Sequence, residues 1–133
     1  MRSRVDIRSD NGQTMVEFAI VLPVLCLLLF GVIQFGILFN NYITLTDAVR
    51  AGARKAAVSR NLGAGGAVAA AQTAVRDSAS DLDSTKLPAP TVTSTWEHAE
   101  PVTVCAQYPY SIDLIGFVAA SGNLKSCTKE RVE

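Results

Sequence analysis

The stretch Phe18-Ala19-Ile20-Val21-Leu22-Pro23-Val24-Leu25-Cys26-Leu27-Leu28-Leu29-Phe30-Gly31-Val32-Ile33-Gln34-Phe35-Gly36-Ile37-Leu38-Phe39 decides how the rest of the chain is read. It carries no charge over about 22 residues, which as a helix covers about 33 Å, enough to cross a hydrocarbon core of about 30 Å. A helix satisfies its own backbone hydrogen bonds, as lipid requires. A core helix of a water-soluble domain would show a polar face, and this run is apolar on every side. Pro23 removes one backbone donor and favours a kink. Gln34 places one amide near the far end of the run. The expectation is a membrane span over 18–39, with lipid as one of its partners.

The remainder is small. The chain has 133 residues, with 12 basic and 12 acidic side chains, so a nucleic-acid partner has no electrostatic support. Outside the span about 90 residues remain, enough for one modest core. Of the three cysteines, Cys26 falls inside the apolar run. Cys105 and Cys127 lie in the polar C-terminal part. In an oxidising compartment they form the natural disulfide pair; otherwise they are two separate buried thiols.

Ahead of the run stand Arg2, Arg4 and Arg8, then Gly12-Gln13-Thr14-Met15-Val16-Glu17-Phe18. A basic start before an apolar run resembles a secretory signal, but such signals have apolar cores of only about 7–15 residues. The nearest small-x-small site, Ala51-Gly52-Ala53, is well past the end of the run; cleavage there would release a secreted domain. Arginines flank the run on both sides, with Arg50, Arg54, Lys55 and Arg60 beyond it, so counting positive charge does not orient it. Glu17 is a carboxylate at the edge of an apolar helix. It either snorkels to the headgroups and favours the helix N-terminus, or it has a partner.

A basic leader, Gly12 at its end, Glu17 at the fifth position after it and a long apolar helix together resemble the type IV pilin superfamily. Within it, Glu17-Phe18-Ala19, Leu22-Pro23 and Gly31-Val32-Ile33-Gln34-Phe35-Gly36 resemble the TadE-like group of the tight-adherence (Tad, or Flp) pilus system. The continuation from Asp47 to Ala57 is similar to that group's Ala/Arg-rich helix. The resemblance covers roughly residues 12–60. It implies a minor pilin or pseudopilin cut by prepilin peptidase between Gly12 and Gln13, with Glu17 pairing with the new amine of a neighbouring subunit. It implies other pilin subunits and the Tad assembly machinery as partners. It also implies a single pass through the bacterial cytoplasmic membrane, N-terminus inside and head outside, with transfer to the pilus or cell surface on assembly and a part in adhesion. Gln34 departs from the Glu or Asp frequent in the group. The major pilins of the system are much shorter chains. The other reading is an uncut single-pass protein with a partner-binding outer domain.

Beyond the span the pattern stays helical to about Arg60. Ala48, Gly52 and Ala56 share one stripe at a spacing of four, suited either to close helix–helix approach or to packing on the chain's own domain. Pro23, Gly31 and Gly36 join them as expected helix-packing positions, with Phe18 at the assembly end. Residues 61–66, rich in glycine, break the helix; a second follows over 67–80, and 81–90 is a linker. The last part, 91–133, turns to period two. Strands are expected at Thr91–Trp96, Val102–Tyr110 and Leu124–Val132, with a short helix or loop over 111–120 and a turn at Ser121-Gly122-Asn123. The four expected segments are thus a leader (1–12), a long helix (13–60), a break with short helix and linker (61–90) and a small antiparallel β domain (91–133). The fold class is α+β and pilin-like.

No enzyme is expected. His98, the only histidine, stands among Glu97 and Glu100 in an expected turn, and no second histidine or Cys-x-x-Cys accompanies it, so no metal or other cofactor is expected. Gly63, Gly65 and Gly66 lack the lysine and preceding strand of a phosphate loop.

Overall fold

The computed structural model describes residues 10–114 and 116–133. The basic residues Arg2, Arg4 and Arg8 of the expected leader lie outside them, as does Ile115. The architecture is α+β. One helix, α1 (Asp10–Val58), runs unbroken through Pro23. Its 49 residues make a rod about 74 Å long. A 3-10 turn (Arg60–Leu62) leads to α2 (Gly63–Ser78). Three antiparallel strands follow, β1 (Thr91–Thr93), β2 (Pro101–Leu114) and β3 (Phe117–Arg131), in the order β1-β2-β3.

The head gathers around the C-terminal half of α1. Leu45, Ala48, Val49, Ala53 and Ala56 are fully buried there, against Ala71 and Val75 of α2 and Val102 and Val104 of β2. Alternation in β2 sends Val102, Val104, Ala106 and Tyr108 inward, as the period-two pattern requires. Gly52 is where the three elements meet. A Cβ there would collide with the Val75 side chain, and it would stand 3.1 Å from the Ala71 carbonyl oxygen and 3.7 Å from Val104. The stripe Ala48, Gly52, Ala56 therefore lies inside the head, under α2 and the sheet.

Four details differ from the sequence expectation. First, α2 begins at Gly63 rather than near Ala67. The reversal is completed by Gly63 alone, at φ 74°, and Gly65 and Gly66 then join the helix; a Cβ on Gly66 would meet Leu62 Cβ at 2.7 Å. Second, β1 stops at Thr93. The Ser94 hydroxyl accepts from the Trp96 N–H (3.1 Å) and donates to the Pro101 carbonyl (3.3 Å), drawing the backbone out of the ladder.

Third, no short helix or loop occupies 111–114 or 117–120; β2 and β3 continue as one long hairpin, with Leu114 opposite Phe117 and Gly116 (φ 86°) in the connection. Pro109 did not end the strand because β1 pairs only with Thr103–Cys105, so β2 has an uncovered side at Pro109. Fourth, Ser121-Gly122-Asn123 is strand and not turn. Gly122 pairs with Tyr110, whose ring lies 3.1–3.3 Å from where a Cβ would stand. A bulge between Ile112 and Asp113 shifts the register near the tip.

Cys105 and Cys127 are directly opposite on β2 and β3 and form a disulfide. The bond closes a loop with a sequence separation of 22. In a chain-entropy account it contributes about 3 kcal/mol, a large share for so small a core. The Cys105→Ser, Cys127→Ser double variant is expected to lose about that amount, read by denaturant unfolding of the full chain in detergent; an unchanged midpoint would remove the stabilising role. Gly52→Ala is expected to cost about 1–3 kcal/mol through overpacking. Gly36→Ala, with nothing within 4 Å of the added atom, should leave head unfolding unchanged in the same assay.

Candidate assembly site

Two halves of α1 have opposite surroundings. From Gln13 to Phe30 every residue is exposed. The helix is long and apolar enough to cross a membrane, and none of its most apolar window is buried by the rest of the chain. Met15, Phe18, Ile20, Leu28, Phe35 and Phe39 are among the large side chains left bare. Pro23 and Gly36 are exposed too, and Cys26 is an exposed free thiol on the same rod.

At the N-terminal end, Gly12, Gln13, Glu17 and Phe18 are all exposed. Gly12 lies within the helix with nothing within 4 Å of its Cβ position. Glycine inside a helix weakens it by roughly 0.5–1 kcal/mol against alanine. At the next residue, the Gln13 side-chain amide donates to the Glu17 carboxylate one turn further on, at 3.1 Å. The two residues at the expected cut and pairing positions thus share one helix face.

Residues 12–54 match the TadE-like protein family. No curated protein and no solved structure matches the chain. The TadE-like segment takes in the junction, the bare apolar rod and the first part of the buried stripe, as far as Ala53. It stops short of α2 and the sheet.

A second feature of the TadE-like segment was not legible in the sequence. Gly31, Gln34, Leu38 and Asn41 are half-buried, at helical spacing, on an otherwise bare stretch. The long hairpin lies against Gln34, Leu38 and Asn41. The Gln34 side-chain amide donates to the Asp113 carbonyl at 3.3 Å. Between helix and hairpin lies a groove of about 160 Å³ lined by Gln34, Leu38, Asn41, Lys86, Tyr108 and Tyr110. The signal was present in the alternation of Tyr110, Ile112 and Leu114, but proline, glycine and serine obscured it. Among the described residues, no group of three or more His, Cys, Asp or Glu is placed to hold a metal ion.

The connection after α2 closes one end of this groove. The Asp83 N–H donates to the Tyr108 hydroxyl at 3.3 Å. The Asp83 carboxyl is held below its usual range, first by the Thr85 hydroxyl (2.6 Å), then by the Thr85 N–H (3.0 Å) and the Lys86 ammonium (3.5 Å). A lowered folded-state pKa stabilises the turn above the unfolded carboxylate value, and that contribution is lost as pH falls through the lowered value. Thr85→Ala is expected to move the Asp83 pKa up toward 3.8 in a carboxyl-carbon NMR titration; no movement would show that Thr85 does not hold it.

Proposed function

We propose that this protein is a structural minor pilin or pseudopilin of a Tad-type pilus. It waits in the cytoplasmic membrane with α1 spanning the bilayer, is trimmed by prepilin peptidase after Gly12, and takes part in pilus assembly and surface adhesion through contacts with other pilin subunits and the Tad machinery. The head lies outside and the N-terminus inside. The observation that carries this reading is the bare apolar half of α1, joined without a break to a half that holds a folded head. The TadE-like match over 12–54 supports the same reading.

The junction has the chemistry that trimming and assembly require. Gly12 is accessible and sits in a weakened turn of helix, which favours local opening to a protease. Once cut, the chain would begin at Gln13 with a free amine. Glu17, four residues on, is then a carboxylate at the edge of a greasy rod. In a bundle of such rods an unpaired carboxylate is costly, and one paired with a neighbour's amine fixes axial register.

N-terminal sequencing of protein from its native host is expected to find Gln13 first. If every mature molecule starts at Met1 or Arg2, trimming is wrong, and an uncut single-pass protein with a partner-binding head takes its place. Glu17→Ala should insert into membrane normally yet be depleted from sheared surface filaments by about tenfold, the loss of roughly 1.4 kcal/mol per subunit contact. Wild-type recovery would remove the register role.

A further inference from the structure

We propose that the tip of the β2–β3 hairpin is a second membrane contact, seated in the leaflet on the head's side of the bilayer. The inference rests on α1 spanning the membrane, as proposed above. Three observations carry it.

The first is depth. Gln34 lies five residues before Phe39, about 7.5 Å inside the apolar run at 1.5 Å per residue. Its bond to the Asp113 carbonyl brings the hairpin tip to that level. If α1 crosses the bilayer, the tip is already inside the leaflet.

The second is chemistry. Phe117 is 79% exposed and Val118 64% exposed. Among the described residues outside α1, the only other large apolar side chain left so bare is Leu62. Phe117 and Val118 stand together at the extremity of the hairpin, beside Leu114. The rest of β3 turns to lysine, serine and threonine away from the tip, with Lys125 and Lys129 exposed. An apolar end followed by tyrosine and then lysine is the order in which side chains partition from acyl chains to headgroups.

The third is the limit on depth. The exposed Asp113 carboxylate accepts from the Ser111 hydroxyl at 3.2 Å. A carboxylate in hydrocarbon is costly, so Asp113 keeps the tip from descending further while Phe117 and Val118 enter the chains. At that depth the Gln34 amide is satisfied by the Asp113 carbonyl instead of standing bare in lipid. The head is thereby fixed to the membrane at two points, the rod and the hairpin tip.

The wild-type chain has a single tryptophan, Trp96, on the connection between β1 and β2, far from the tip. The full chain is placed in phosphatidylcholine–phosphatidylglycerol vesicles, with and without phosphatidylcholine brominated near the headgroup end of its acyl chains. Phe117→Trp, and separately Val118→Trp, should add a blue-shifted emission that bromine quenches, above the wild-type level. Leu25→Trp reports the span. Quenching at position 25 with none at 117 or 118 overturns the tip contact and leaves the span standing. No quenching at position 25 overturns the span, and the tip contact with it. Emission at 117 shielded from aqueous iodide but untouched by brominated lipid would place a second copy of the chain on the tip, and overturns the proposal.

Discussion

The head depends on one close approach, that of α2 and β2 to α1 at Gly52. With no side chain there, the Val75 side chain occupies the space a Cβ would need and the Ala71 carbonyl comes within 3.1 Å of it. Around this point the core is built mostly from small residues, with Ala48, Ala53, Ala56, Ala67 and Ala71 fully buried. Alanine buries little apolar area, so such a core gains its stability from proximity of backbone to backbone more than from bulk. That explains why a disulfide across the sheet matters here. It also explains why α2 can dock through only Ala67, Ala71 and Val75, its three buried residues.

The other half of α1 has the opposite composition and no cover. A large apolar side chain left in water forgoes about 1.5–3 kcal/mol of burial. Leu25, Leu27, Leu28, Leu29 and Phe30 are all exposed, and together they are comparable with the roughly 5–15 kcal/mol by which a small domain is stable. Leaving such a surface wet is therefore not a small perturbation of the fold. It must be covered by lipid or by like helices, and the uniform apolarity of the rod suits both.

Much of this was legible in the amino-acid order. The apolar run and the α+β class followed from periodicity, and Cys105 and Cys127 stood out as the pair to join in an oxidising compartment. The resemblance to the TadE-like group followed from Glu17, Pro23 and Phe35-Gly36. What escaped was the length of the hairpin. Pro109, Gly122 and Ser121 are turn-forming residues in isolation, and only the pairing of Tyr110 with Gly122 makes them strand. Likewise Ser94 ends β1 through a side-chain bond that composition does not announce. Local propensity yields to a cross-strand partner, and that partner is visible only once the chain is folded.

Among the described residues, no strand neighbours the outer flank of β3 along its 15 residues. Such a row of free amides and carbonyls invites other chains to stack onto it. Lys125, Lys129 and Arg131 stand along it, and like charges set against each other resist that stacking. Polymerisation by sheet extension is thus discouraged along this flank.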